Sequence, residues 1–138
     1  MAKIRTRIAV VDDDASVRSA LCRLLRASDF EAKAFETGAE FLTSYRSFRP
    51  HCAIIDLHMP GMSGLEAQQH LSLDGSPVSI IIIITGHDAP HIRSECLAAG
   101  ASAYLTKPVD EKILMSSIRE IVEANARGKA KKIRQATI

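Results

Sequence analysis

CAIIDLHMPGMSG, residues 52–64, contains an apolar run, one carboxylate, a turn and the start of a helix in succession. The apolar run at residues 53–55 predicts a buried strand, and Asp56 stands at its exit. An ionised carboxylate next to a protein core requires water, a cation or hydrogen-bond donors. Ser63 and Glu66 match a capping box, so the next helix begins near residue 63 and Asp56 stands too early to cap it. We therefore predict that Asp56 has a role other than helix capping.

The flanking sequence predicts an α/β fold built from five strand–helix repeats. Apolar or alternating runs predict the strands, at residues 4–11, 31–35, 53–55, 78–84 and 102–105. Apolar residues at helical spacing follow each run, and residues suited to a helix start precede four of the helices: Asp14, Thr37, Ser63 and Asp110. Pro90 suits the first turn of the fourth helix, and Gly100 suits its end. This alternation with short links predicts a parallel sheet that helices cover on both faces.

Composition indicates one domain with an ordinary core. The chain has 138 residues, of which 46% are hydrophobic and 25% charged, and it has no apolar stretch long enough to span a membrane. Its basic N-terminus leads directly into the first predicted strand instead of a secretory apolar segment, so we predict a cytoplasmic protein. The three cysteines, Cys22, Cys52 and Cys96, are far apart and include no CxxC pair. This spacing argues against a disulfide framework and a zinc knuckle.

Charge is distributed unevenly along the chain. The net charge is +2, but residues 126–138 carry five Lys or Arg residues and no acid, which leaves residues 1–125 with a net charge of −3. We predict a folded domain at residues 1–125, followed by a basic linker or C-terminal tail at residues 126–138. Five cations without aromatic residues or a recognition helix can contact phosphates, but they cannot read a base sequence. Direct sequence-specific DNA binding by this chain is therefore not predicted.

Functional side chains stand at the ends of four predicted strands. Asp12 and Asp13 follow the first strand, Asp56 the third, Thr85 the fourth and Lys107 the fifth. Ligands of open parallel sheets bind at the carboxyl ends of the strands. Singly, the aspartates after the first strand could be helix-capping acids, and Lys107 could be a solvated lysine. Together, three carboxylates favour a hard cation such as Mg²⁺, and the lysine suits a phosphate oxygen. The set predicts phosphoryl transfer onto an aspartate.

Four motifs carry a resemblance to a known family. They are VDDD at residues 11–14, IDLHMPGMSG at 55–64, ITGH at 84–87 and YLTKP at 104–108. Over roughly residues 4–125 the chain resembles the receiver (CheY-like) domain of two-component response regulators, and its spelling is most similar to the FixJ-like branch. In that branch the receiver usually precedes a helix-turn-helix DNA-binding domain. The resemblance implies a five-stranded parallel sheet of order 2-1-3-4-5, flanked by five helices.

The resemblance also implies a phosphorylation site. Asp56 would accept the phosphoryl group from a phosphohistidine of a partner sensor histidine kinase. Mg²⁺ would be held by Asp12, Asp13, Asp56 and the main-chain carbonyl of His58.

The resemblance further implies a conformational switch. Lys107 and Thr85 would contact the phosphoryl oxygens, and the Lys107–Pro108 peptide would be cis. Tyr104 resembles the aromatic switch residue, which turns inward as Thr85 moves toward the phosphate. A phosphoryl group adds about 1.5–2 negative charges and new acceptor oxygens. It would bias the face formed by the fourth helix, the fifth strand and the fifth helix, and this face commonly dimerises in the FixJ-like branch.

Other functions fit the sequence less well. A haloacid-dehalogenase-type phosphatase requires a second Asp two residues after the nucleophile, where this chain has His58. A dinucleotide-binding oxidoreductase would carry GxGxxG after its first strand, and this chain has none there. We therefore predict that the chain is not an enzyme. The intact set of site residues also argues against a degenerate receiver that binds without accepting phosphate.

Two features leave alternatives open. His58 and His87 occupy positions that vary in the family and tune the lifetime of the phosphoryl group, and His87 could lie near the phosphate or face solvent. His87 and His91 could pair on a metal only if both were helical, and with no third ligand zinc is not predicted. The basic tail favours a truncated regulator whose effector domain lies outside this chain. The alternative is a stand-alone receiver that acts by protein–protein contacts or as a phosphorelay intermediate.

Overall fold

Strands and helices alternate throughout residues 5–76 and 78–126, the ranges that the computed structural model describes. The strands are β1 (Arg7–Val11), β2 (Glu31–Phe35), β3 (Cys52–Asp56), β4 (Ile80–Thr85) and β5 (Ala103–Thr106). The helices are α1 (Ala15–Ala27), α2 (Gly38–Phe48), α3 (Gly64–Leu73), α4 (Pro90–Ala98) and α5 (Glu111–Ala126). The predicted α/β alternation is confirmed. The predicted linker at residues 126–138 lies outside the described residues, apart from Ala126 at the end of α5.

The sheet is parallel and has the order β2-β1-β3-β4-β5, as the resemblance implies. In the register, Val11 lies opposite Ile55, Ile55 opposite Ile83, and Ile83 opposite Tyr104. Because the strands are parallel and aligned in this way, the residues that follow each of them emerge at the same edge. Side chains from distant parts of the sequence are therefore brought to one place.

Each face of the sheet has its own hydrophobic core. Successive strand residues point to opposite faces, so Ile8 and Val10 lie in one core and Ala9 and Val11 in the other. The first core is covered by α1 and α5, through residues that include Leu25 and Leu114. The second is covered by α2, α3 and α4, through residues that include Phe41, Tyr45, Leu71 and Cys96. All three cysteines are buried and free.

Side-chain caps start the helices where the sequence predicts them. Helix α3 has the full capping box, with Ser63 and Glu66 each accepting from the other's amide at 3.1 and 2.9 Å. The other predicted caps accept an amide hydrogen in the first turn: Asp14 from Ser16, Thr37 from Glu40, and Asp110 from Ile113. Among the described helices, none is long and apolar enough to cross a lipid bilayer.

Three strands begin later than predicted, and for β5 the difference is one residue, with a start at Ala103. The run that begins at residue 78 enters the sheet only at Ile80, because the Val78 amide is bonded to the Ser76 hydroxyl at 3.0 Å and still belongs to the preceding turn. The Ile80 amide then donates to the carbonyl of His51 and begins the ladder. The first strand, predicted from residue 4, begins at Arg7, and residue 4 itself is not among the described residues.

Candidate functional site

Three aspartates converge at the carboxyl edge of the sheet. Asp12 follows β1 and Asp56 ends β3, and these strands are neighbours in register. Asp12 is fully buried and Asp56 is 4% exposed, whereas Asp13 is exposed. One carboxylate oxygen from each of the three acids lies within 4.8 Å of the others. Oxygen ligands at this spacing suit a hard divalent cation such as Mg²⁺.

Lys107 follows the edge strand β5, and its side chain contacts the buried aspartates of the site. Its Nζ lies 3.0 Å from Oδ2 of Asp12 and 3.4 Å from Oδ2 of Asp56. Its amide donates to the carbonyl of Thr85 at 2.7 Å, which ties the end of β5 to the end of β4. The Lys107–Pro108 peptide is cis, as the resemblance implies. A single cation therefore contacts the two buried carboxylates.

The charges of the site shift its pKa values. Burial raises the pKa of Asp56, and the neighbouring charge of Asp12 raises it further, against the opposing effects of Lys107 and of the His58 amide. Burial by itself lowers the pKa of Lys107, but its hydrogen bond to Asp12 and the charges of Asp56 and Asp12 together outweigh burial and raise it. Burial and Asp12 thus disfavour the ionised form of Asp56, and Lys107 favours it.

Main-chain donors orient the two buried carboxylates. Oδ1 of Asp12 accepts from the amide of Asp14 at 2.9 Å, and Oδ1 of Asp56 accepts from the amide of His58 at 3.3 Å. Arg18 donates through Nη1 to the main-chain carbonyl of Asp12 at 2.9 Å. No local pattern in the sequence indicates this contact, which depends on how α1 packs.

Gly64 lets the loop after β3 close tightly on the acid. A Cβ at this position would lie 2.6 Å from the main-chain oxygen of Asp56 and 2.9 Å from Cα of Leu57. The amide of Gly64 donates to the carbonyl of Leu57 at 2.9 Å. Gly61 has a φ of +84°, in the left-handed region that favours glycine, which explains the Pro–Gly turn in the sequence. The glycines of the motif thus shape the loop that carries Asp56.

Thr85 lies at the same edge and is fully buried. Its hydroxyl accepts from the amide of His87 at 3.0 Å and donates to the carbonyl of His87 at 3.2 Å. The side chain is therefore bonded within its own loop. Tyr104 lies opposite Ile83 on the neighbouring strand and its ring is buried. The guanidinium carbon of Arg93 lies 4.8 Å from the centre of that ring, a contact for which the sequence has no local signal.

Two exposed histidines stand beside the site. His58 follows β3 and His87 follows β4, and their ring centres are 6.2 Å apart in an edge-to-face arrangement. His87 precedes the first residue of α4, Pro90, so His87 and His91 do not share a helix. Among the described residues, the group of acids and histidines close enough to bind a metal is the aspartate cluster.

Known proteins resemble this chain in sequence and in fold. Residues 8–119 match the family model of the response regulator receiver domain. The response regulator protein TmoT of Ectopseudomonas mendocina is 37% identical over 112 residues, covering 81% of this chain and 50% of TmoT. The transcriptional regulatory protein FixJ of Azorhizobium caulinodans is 32% identical over 112 residues, covering 81% of this chain and 53% of FixJ. A CheY-like receiver domain protein from Methanospirillum hungatei JF-1 has a TM-score of 0.83 at 27% identity, covering 91% of this chain and 99% of that one. The chain spans about half the length of the curated relatives it matches, and it belongs to the response regulator receiver domain family.

Proposed function

We propose that Asp56 is the phosphoacceptor of this receiver and that Mg²⁺, bound by Asp12, Asp13, Asp56 and the main-chain carbonyl of His58, assists the transfer. The observation that carries this proposal is the contact of Lys107 with the carboxylates of both Asp12 and Asp56. Because one lysine contacts both buried acids, a positive charge is already positioned next to a phosphoryl group added to Asp56.

The proposed reaction is a displacement at phosphorus. An oxygen of Asp56 forms a bond to phosphorus as the bond from phosphorus to the imidazole nitrogen of the donor breaks, and the histidine leaves with that electron pair. Mg²⁺, when bound, neutralises charge on the transferring group. Lys107 favours the ionised form of Asp56 before transfer and exchanges its carboxylate contact for a phosphoryl oxygen afterwards. Thr85 supplies a hydroxyl donor to a second oxygen.

We infer that the donor is a sensor histidine kinase. A groove of about 510 Å³ opens beside Lys107 and Gly86. Its walls include the apolar residues Val17, Leu21 and Leu24 of α1, which could receive a protein donor beside Lys107. A cytoplasmic location, where such a donor would be met, stays a prediction.

We infer that the output is transcriptional control through an effector domain beyond this chain. The chain spans about half of relatives that include a transcriptional regulatory protein and DNA-binding response regulators. Residues 1–125 would then be the receiver, and residues 126–138 would be the linker. Phosphorylation would act through Thr85 and Tyr104 on the face formed by α4, β5 and α5, and this face would support a homodimer. A stand-alone receiver or a phosphorelay intermediate is the alternative, if no effector domain follows.

Intact mass after incubation with acetyl phosphate and Mg²⁺ tests the acceptor. We expect the wild type to gain one phosphoryl group, and Asp56→Asn to gain none. Asp29→Asn is the matched control, because Asp29 lies between α1 and β2, outside the aspartate cluster, and should label like the wild type. Labelling of Asp56→Asn at the wild-type level would place the acceptor elsewhere.

A further inference from the structure

Thr85 must release its loop before it can contact a phosphoryl group. A threonine hydroxyl has one hydrogen to donate, and here that hydrogen is donated to the carbonyl of His87 at 3.2 Å. Donation to a phosphoryl oxygen on Asp56 therefore requires the Thr85–His87 contact to break. The segment between β4 and α4 must rearrange when it does, and whatever holds this segment opposes the switch.

Arg93 holds this segment from the first turns of α4. Its Nη2 lies 3.3 Å from Oδ2 of Asp88, the residue after His87. The helix has no side-chain cap at Ala89 to add stability at this end. The Arg93–Asp88 pair is therefore a side-chain contact between the loop and the helix.

The same guanidinium also covers Tyr104. Cζ of Arg93 lies 4.8 Å from the ring centre, within the range of a cation–π contact. The Tyr104 hydroxyl is buried close to Asp88 and Ala89 but makes no hydrogen bond of standard geometry in the described part of the chain. Burial, and then the charge of Asp88, raise the pKa of Tyr104. One side chain thus contacts both the loop that must move and the ring that is expected to respond.

We propose that Arg93 is a latch that joins Asp88 to Tyr104 and stabilises the arrangement in which Thr85 is bonded to His87. This inference rests on the proposed phosphorylation of Asp56. Phosphorylation must overcome the contacts of Arg93, because these contacts stabilise the unswitched state. A ligand can shift a conformational equilibrium only by as much as its affinity differs between the two states. Loss of the latch should then favour the switched state, and by linkage should raise affinity for a phosphoryl group at the site.

The experiment uses beryllofluoride with Mg²⁺ as the phosphoryl mimic, and fluorine NMR of protein labelled with 3-fluorotyrosine. The chain has two tyrosines, Tyr45 and Tyr104, so each resonance reports one site. We expect Arg93→Gln to shift the Tyr104 resonance, leave that of Tyr45 in place, and bind beryllofluoride about threefold to tenfold more tightly, the range for an exposed ion pair and one cation–π contact. Arg93→Lys, which keeps the charge, should have a beryllofluoride affinity between those of the wild type and Arg93→Gln.

Arg46 provides a matched control within the same molecule. Its guanidinium lies 5.2 Å from the ring centre of Tyr45 and 3.3 Å from Oδ2 of Asp74, so it repeats the arginine–tyrosine–aspartate arrangement away from the switch. Arg46→Gln should shift Tyr45 alone and leave beryllofluoride affinity unchanged. Unchanged or weaker affinity in Arg93→Gln, or an equal gain in Arg46→Gln, would overturn the latch. Absence of binding by the wild type would instead overturn the proposed phosphorylation site, and the latch with it.

Discussion

Replacement of Gly64 by alanine has two opposing effects on the free energy of unfolding, one from helix propensity and one from packing. Gly64 is the first residue of α3, and alanine is favoured over glycine within helices by about 0.8–1.0 kcal/mol. The added Cβ would, however, lie 2.6 Å from the main-chain oxygen of Asp56, where at least 3.0 Å is needed, so the backbone must retreat. Overpacking costs about 1–3 kcal/mol, and two backbone contacts under 3.0 Å place this site in the upper part of that range, at about 2–3 kcal/mol. We expect a net loss of about 1–2 kcal/mol in the free energy of unfolding.

Urea and thermal unfolding measure this loss. With an unfolding entropy of about 2.1 cal/mol/K per residue, a loss of that size lowers Tm by about 3–7 °C. Mg²⁺ affinity should also fall, because the displaced oxygen belongs to Asp56. Gly86→Ala is the control, since its Cβ would meet nothing closer than Cδ of Lys107 at 3.9 Å and should change stability by less than about 0.5 kcal/mol. A Gly64→Ala protein as stable as the wild type would refute this packing argument.

Three further predictions concern charge and burial. Because the pKa of Asp56 is raised in the folded state, the stability that its protonated form contributes is present below the unfolded pKa of about 3.9 and is lost as pH rises through the folded pKa. In EDTA, Asp56→Asn should therefore be more stable than the wild type at pH 7 and lose part of this pH dependence. Urea titrations at pH 4 to 8 would contradict this if the two curves ran parallel. Burial raises the pKa of Cys52 to about 12 and that of Cys96 to about 11. An aromatic disulfide reagent at pH 8 should therefore leave both thiols unmodified in the native protein and react with them in urea. Fast labelling of the native protein would contradict the burial of these two cysteines. Lys107→Met should bind Mg²⁺ about fivefold more tightly, because a partly exposed ion pair worth about 1 kcal/mol no longer competes for the carboxylates. The same variant should lose beryllofluoride binding. Calorimetric titration measures both affinities, and weaker Mg²⁺ binding would argue against competition by the lysine.

Much of the local structure follows from neighbouring residues. Each predicted cap lies at a helix start, and the capping box of Ser63 and Glu66 is present in full. Glu40 shows the limit of such a pattern. It follows Thr37 at capping-box spacing, but its carboxylate accepts from the amide of Glu36 at 2.7 Å, one residue before the cap.

The chemistry of the site was predicted from residue types at strand ends. Asp12, Asp13, Asp56, Thr85 and Lys107 all lie at the carboxyl edge, because parallel strands place their ends together whatever their spacing in the chain. The strand order itself came from the family resemblance, since periodicity does not determine which strands are neighbours.

By itself, the sequence determined the elements, the starts of the helices and the identity of the acids, because those depend on patterns within a few residues. Only the tertiary structure decided that Lys107 contacts Asp12, 95 positions away, and that Arg93 joins Asp88 to Tyr104. Such contacts depend on sheet register and helix packing, which are properties of the whole core. For the same reason, the direction of each pKa shift followed from burial and from neighbours that the folded chain brings together.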